Sequence, residues 1–306
     1  MNEFELIARL AKSLPTNDNV VVGCGDDCAV LDLGAPDKLI LFKTDAVVES
    51  VHFTKETPPE KIGRKALARC LSDIAAMAGT PAAALVTIAL PKNFDAEFIE
   101  KIYGGMNALA KHHGVAVVGG ETTANPERIL ISIALLGTVA RGKQILRSGA
   151  KIGDAIFVTG ELGGSLVEKH LEFEPRIAEA QWLASHFKIH AMLDLSDGLA
   201  GDLRHILKSS GVGAEILRSA VPVSRAAKLS SQKKPPFAAA LTDGEDFELL
   251  FTVAGKDAVK LLDAWKKKFP EVKLSCIGKI ISGDEITIRD KSGSHKLTAH
   301  GYVHFA

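Results

Sequence analysis

Acidic residues recur where apolar runs end, in Gly25-Asp26-Asp27, Lys43-Thr44-Asp45, Leu71-Ser72-Asp73 and Asp194-Leu195-Ser196-Asp197-Gly198. Carboxylates that leave buried elements are poorly placed for ordinary solvation, and gathering several is costly unless cations sit between them. At ~4 Å and an effective dielectric of ~20, a like-charged pair repels by roughly 4 kcal/mol. Mg2+ relieves this, because it takes a few carboxylates and completes its shell with water and phosphate oxygens. The pattern points to a multi-metal phosphate site assembled from distant segments.

Taken singly, the pieces differ in weight. Asp26-Asp27 alone reads as an Asx turn between two strands. Thr44-Asp45, ending an apolar strand, offers a hydroxyl and a carboxylate to one ion. Asp73 lies in an Ala-rich helix beside its packed stripe and must find a cation or donors. Ser196 or Asp197 is expected to cap the helix that starts at Gly198, which leaves Asp194 unexplained by capping. Gly119-Gly120-Glu121-Thr122-Thr123 and Thr159-Gly160-Glu161-Leu162-Gly163-Gly164-Ser165 each put free backbone N–H groups where a strand is expected to turn, as a phosphate cradle would. Either alone also fits a plain tight turn. There is no Walker A pattern and no protein-kinase glycine loop with its partner motifs. Cys24-x3-Cys28 lacks a second Cys/His pair at zinc spacing, and His112-His113 suits a helix C-terminus better than a metal.

The elements that must position these acids follow from periodicity. Phe4, Leu6, Ile7, Leu10 and Leu14 mark a helix over 3–14, followed by strands at Asn19–Cys24, Cys28–Leu33 and Leu39–Lys43. A helix runs from Pro58-Pro59 to Gly79, another from Ala96 to His113, and strands follow at Val115–Val118 and Ile129–Val139, so that the first half reads strands, helix, strand, helix, strand, strand. The turn-rich stretch Arg141–Gly153 separates two domains, 1–143 and 144–306. The second has strands at Ala155–Val158, around Asp194, and at Ala214–Leu217, Phe247–Val253, Leu274–Ile281 and Glu285–Arg289, with helices at Gly198–Ser210 and Lys256–Phe269. This mixed order predicts an α+β protein. The 37 Lys plus Arg balance 37 Asp plus Glu, so no basic excess points to nucleic acid. No apolar run long enough to span a bilayer is present, and the start lacks a secretory signal, so a cytoplasmic protein is expected.

The acid pieces, together with His52-Phe53, Leu71-Ser72-Asp73-Ile74-Ala75-Ala76-Met77, Arg147-Ser148-Gly149-Ala150, Gly244-Glu245-Asp246-Phe247-Glu248-Leu249 and Gly301-Tyr302-Val303-His304-Phe305, resemble the thiamine-monophosphate kinase family in order and over nearly the whole chain. The wider superfamily includes aminoimidazole ribonucleotide synthetase and hydrogenase-maturation and selenophosphate-synthesising enzymes. The resemblance implies an N-terminal ATP- and Mg2+-binding domain that pairs with a twin into a dimer-spanning β-barrel, and a C-terminal α/β domain closing over the site. It implies ATP-dependent phosphorylation of thiamine monophosphate to the diphosphate by a homodimer. Asp27, Thr44, Asp45, Asp73, Glu121, Asp194 and Asp197 would hold several Mg2+ ions. Tyr103, Gly120, Glu121, Arg147 and Ser196 would meet ATP, and His52, Glu245 and Tyr302 the thiamine end. Asp45, Asp73, Arg147 and Asp197 would carry the catalytic charge. Lys43 stands where many relatives have a small hydroxyl residue, Glu121 where Asp is common, and Asp243 where Gly is usual. Other superfamily acceptors, or a non-catalytic nucleotide-binding relative, are the alternatives.

Overall fold

The computed structural model describes residues 3–167, 169–230 and 234–303, apart from the side chain of Phe4. Its first half comprises α1 (Glu3–Ala11), β1 (Val20–Val22), β2 (Ala29–Leu31), β3 (Lys38–Val48), α2 (Pro59–Ala76), β4 (Thr80–Leu90), α3 (Ala96–His112), β5 (Ala116–Ala124) and β6 (Leu130–Ala140). The six strands form one sheet in the order β1-β2-β3-β6-β4-β5, antiparallel except for the parallel pair β4 and β5. Alternation along β3 sends Leu39, Leu41 and Val47 into the core beneath α2, while Phe42 stays 44% exposed on the other face. Leu85 and Leu136 are likewise 49% and 41% exposed, so one sheet face is open and partly apolar.

Two strands run further than their apolar patterns predict. β3 pairs with β6 from Lys38 to Val48, so Thr44-Asp45 lies within the strand and not at its end. β5 pairs with β4 through Gly119 to Thr123, which makes that glycine-rich stretch a sheet edge and not a turn. Gly120 is required there because a Cβ would lie 1.8 Å from the Val86 carbonyl oxygen.

The second half contains β7 (Asp154–Thr159), α4 (Lys169–Glu172), α5 (Ile177–His186), β8 (Ile189–Asp194), α6 (Leu199–Ser210), β9 (Gly213–Leu217), α7 (Arg225–Leu229), α8 (Pro236–Thr242), β10 (Leu249–Ala254), α9 (Ala258–Lys268), β11 (Leu274–Ile281), β12 (Ile286–Asp290) and β13 (Gly293–Lys296). These strands make a seven-stranded sheet in the order β13-β12-β9-β11-β7-β10-β8. Every residue of β7 is buried, because its alternate side chains enter two different cores. Phe157, with Met192 and Phe251, joins a core that continues into the first half, while Ile156 and Val158 join Leu193 and Leu250 beneath α6. The six-stranded sheet is not closed into a barrel among the described residues. No described helix is long and apolar enough to cross a membrane.

α2 is the element the two halves share. It packs on β3, β6 and α3 on one side and on α4, α5 and β8 on the other, and Ile62, Leu67, Leu71 and Ile74 are fully buried. Its crossing with α3 is close because glycines face backbone. A Cβ on Gly63 would lie 1.8 Å from the Ile102 carbonyl oxygen, and one on Gly105 1.9 Å from that of Glu60. Gly63→Ala is therefore expected to destabilise the protein by about 2–3 kcal/mol, since backbone must shift to admit the methyl. Gly104→Ala, which meets open space, should be neutral or stabilising by up to about 1 kcal/mol. Urea denaturation of both variants checks this, and equal effects would contradict the packing account.

Candidate active site

The carboxylates of Asp27, Asp73 and Asp194 are buried and lie within 4.8 Å of one another. They come from the turn before β2, from α2 and from the end of β8, so the cluster forms only where the two halves meet. At that separation each pair repels by roughly 3 kcal/mol at an effective dielectric of ~20. The protein answers part of this with its own cations. Arg147 donates from Nη2 to Asp27 Oδ1 at 2.6 Å and from Nε to the same oxygen at 3.1 Å. Lys43 Nζ donates to Asp73 Oδ1 at 2.8 Å, and Ser72 Oγ donates to Asp194 Oδ2 at 2.6 Å. Asp26 accepts from the Arg147 backbone N–H.

Burial first, and the neighbouring carboxylates after it, disfavour the charged forms of the group. Burial raises Asp194 to about 6, reinforced by the charge of Asp27. Burial and then Asp27 also raise Asp26 to about 6. Burial pushes Asp73 up as well, against the Lys43 ammonium. Asp27 Oδ2 is buried and finds no hydrogen-bond partner among the described residues. An orphaned oxygen on one of three adjoining carboxylates, with oxygen ligands only, fits a hard divalent cation such as Mg2+ and not a thiol- or imidazole-seeking metal.

Asp45 adjoins this cluster. It shares the inward face of β3 with Lys43 and pairs loosely with Arg69, at 3.3 Å from Nε and 3.4 Å from Nη2. Beyond Arg69 lies a cleft of about 130 Å3, lined by His52, Arg69, Ser196, Asp197, Glu245 and Tyr302 among others. Backbone bonds hold its walls together: Glu245 N donates to Ser196 O at 2.7 Å, and Tyr302 N to Asp197 O at 2.8 Å. Glu245 and Phe247 adopt positive φ values of 52° and 50°. Such strain in non-glycine residues persists where surrounding contacts enforce it.

Glu245 is fixed by Lys65, which is 1% exposed as a side chain. Lys65 Nζ donates to Glu245 Oε2 at 2.7 Å and to the His52 carbonyl at 2.8 Å, and lies 2.7 Å from His170 Nδ1. Burial alone would raise Glu245, but His170 and Lys65 overcome it and hold the carboxyl at about 2. The cleft therefore presents a charged carboxylate at neutral pH.

Thr44 and Glu121 are elsewhere. Thr44 points to the open face of β3, with its hydroxyl 3.4 Å from that of Ser132, and the register Ser132, Thr87, Glu121 carries the same row across to the exposed edge strand. The sheet lies between these two side chains and Asp73. Tyr103 is half-buried on α3 against the first core, and Gly120 neighbours Glu121 on β5. The residue at the helix cap is Gly198, one position after the expected Ser196 or Asp197, and Asp202 Oδ2 accepts from the Asp197 N–H at 3.0 Å. Asp197, Asp202 and His205 form a second group whose ligand atoms lie within 4.8 Å of one another. The Thr159–Ser165 loop is no phosphate cradle, since Gly163 and Gly164 N–H groups already donate to Asp246 and Asp243. His304 and Phe305 lie outside the described residues.

Sequence reasoning missed Lys65, Arg69, His170 and Asp202. A signal existed for two of them: Lys65, Arg69 and Asp73 recur every four residues and so share one face of α2.

Residues 25–139 match the AIR synthase related protein, N-terminal domain, and residues 151–291 its C-terminal domain. The thiamine-monophosphate kinase of Rhodopirellula baltica is 37% identical, over 93% of this chain and 92% of its own. The chain belongs to the thiamine-monophosphate kinase family. The family's Bacillus subtilis member is 34% identical over the full length of both chains. Among solved structures, that described as AaThiL complexed with AMPPCP and TMP superposes with a TM-score of 0.84 at 31% identity, covering 99% of this chain and 97% of that one. The kinase family assignment thus spans both halves and every segment of the acid cluster.

The raised pKa of Asp194 yields a pH prediction for the metal-free protein. A carboxyl at about 6 when folded, against about 3.9 when unfolded, contributes stability that is present below pH 4 and lost as pH rises through 6. Asp194→Asn should therefore gain on the order of 2–3 kcal/mol over wild type at pH 7.5 in chelator, and that advantage should vanish near pH 4. Urea denaturation of both proteins at the two pH values measures it, and a pH-independent difference would contradict the assignment.

Proposed function

We infer that the protein transfers the γ-phosphoryl group of ATP to thiamine monophosphate, giving thiamine diphosphate and ADP. The observation that carries this reading is the convergence of Asp27, Asp73 and Asp194 beside Arg147, with one carboxylate oxygen unsatisfied, in a member of the thiamine-monophosphate kinase family. In our reading Asp27, Asp45, Asp73, Asp194 and Asp197 hold Mg2+ from the inner side, and Thr44 and Glu121 do so from the open sheet face. Mg2+, when bound, would neutralise phosphate charge and fix the two phosphates for transfer. Arg147 adds a forked cation at the same place, and Tyr103, Gly120, Glu121 and Ser196 meet the nucleotide.

The acceptor is a phosphate oxygen already ionised at neutral pH. No Ser, Cys or Lys nucleophile and no general base is required, and positioning with charge neutralisation suffices for a loose transition state. Asp45, Asp73, Arg147 and Asp197 supply that charge control. The cleft bounded by His52, Glu245 and Tyr302 suits the thiamine end, because a thiazolium cation pairs with the ionised Glu245 carboxylate and with an aromatic face.

In the same proposal, residues 1–143 carry ATP, Mg2+ and the subunit contact, and residues 144–306 close over the site. The exposed Phe42, Leu85 and Leu136 on the open sheet support burial against a twin sheet, which would complete a barrel in a homodimer. Four unpaired cysteines and use of ATP suit the cytoplasm.

Purified protein with ATP, Mg2+ and thiamine monophosphate should form thiamine diphosphate, read as its fluorescent thiochrome derivative; no product across a Mg2+ titration sinks the reading. Asp73→Asn should lower kcat by roughly 100-fold or more with the fold retained. Tyr302→Ala should raise KM for thiamine monophosphate by about 5- to 30-fold while leaving that for ATP within about twofold.

A further inference from the structure

A lysine stands inside the acid cluster. Lys43 and Asp45 occupy the same face of β3, and that face looks onto α2, where Lys43 Nζ reaches Asp73 Oδ1 at 2.8 Å. The Lys43 side chain is largely buried and its ammonium is in direct contact with a buried carboxylate that the metal reading also assigns to Mg2+.

The three carboxylates are unequally supplied with positive charge. Asp27 meets Arg147, Asp73 meets Lys43, and Asp194 meets the Ser72 hydroxyl. The need for divalent charge is thus concentrated between Asp194, the orphaned Asp27 Oδ2 and the Asp73 oxygen that Lys43 leaves free. On the Asp73 Oδ1 side an ammonium already in contact excludes a second ion, by its volume and by like-charge repulsion.

We propose that the Lys43 ammonium takes the place of one divalent ion at this centre, so that the cluster binds one Mg2+ fewer than its carboxylates would otherwise hold. This rests on the metal reading above and concerns how many ions that site takes. Unlike Mg2+, a side-chain cation cannot depart with the nucleotide. Asp73 therefore keeps a partner between turnovers, and assembly of the site depends less steeply on free Mg2+.

The test counts ions and not turnover. Full-length wild type, Lys43→Ser, Lys43→Arg and Lys43→Met are equilibrated with Mn2+ and a non-hydrolysable ATP analogue, and bound Mn2+ is counted by equilibrium dialysis with electron paramagnetic resonance. Circular dichroism checks folding. Lys43→Ser, which opens space and offers a hydroxyl, is expected to bind one more Mn2+ per chain than wild type, and Lys43→Arg the same number as wild type. Lys43→Met keeps most of the volume should the serine variant fold poorly, and is expected to hold Mn2+ at least about threefold more tightly because a neighbouring positive charge is gone. Equal counts and equal affinities across the series overturn the proposal. If no protein in the series, wild type included, binds Mn2+, the metal reading falls and the proposal with it. Counts as expected without any thiamine diphosphate formation uphold the role of Lys43 and remove only the acceptor.

Discussion

Mutual repulsion among buried carboxylates is the constraint on which the site depends. Asp27, Asp73 and Asp194 are brought together by packing, since α2 must bury its apolar face against both β3 and β8. Once they are together, the electrostatics are set. Each acid needs a cation or a donor, and the protein supplies Arg147, Lys43 and Ser72, but among the described residues Asp27 Oδ2 has none. The apolar core thus does the work of holding charges that would otherwise separate.

α2 organises the charge as well as the core. Lys65, Arg69 and Asp73, spaced by one helical turn, give it a line of ionised groups that runs from the cleft to the acid cluster. Lys65 fixes Glu245 in one direction, and Asp73 closes the acid cluster in the other. Arg69 lies between them, and its loose pairing leaves Asp45 open to a stronger partner. The two ends of a phosphorylated cationic substrate have opposite charge. In the proposed assignment the ionised Glu245 would face the cationic end and the acid cluster, through a divalent ion, the phosphate end.

Much of this was legible in the residues. The acids of the cluster stood out because an Asp in an Ala-rich helix and another in an apolar strand have no ordinary reason to be there. Most of the strand and helix order followed from periodicity, although β4, α7, α8 and β13 were not delimited by it. What failed depended on partners remote in sequence. β3 and β5 extend because β6 and β4 continue beside them, and no local apolar pattern marks Thr44 or Gly119–Thr123 as strand. The glycine-rich loop after β7 reads as an anion cradle until Asp243 and Asp246, about eighty residues on, are seen to take its N–H groups. Likewise, the Asp197 N–H is taken by Asp202, one helical turn further on, which no local pattern announces.

The most direct test is where a divalent ion sits. Crystals grown with Mn2+ and a non-hydrolysable ATP analogue should give an anomalous difference peak coordinated by Asp27, Asp73 and Asp194 together, with metal–oxygen distances of about 2.1–2.2 Å. That peak should also touch a phosphate oxygen of the nucleotide. Anomalous peaks confined to other surfaces, with the three carboxylates sharing no ion while nucleotide is bound, would contradict the account.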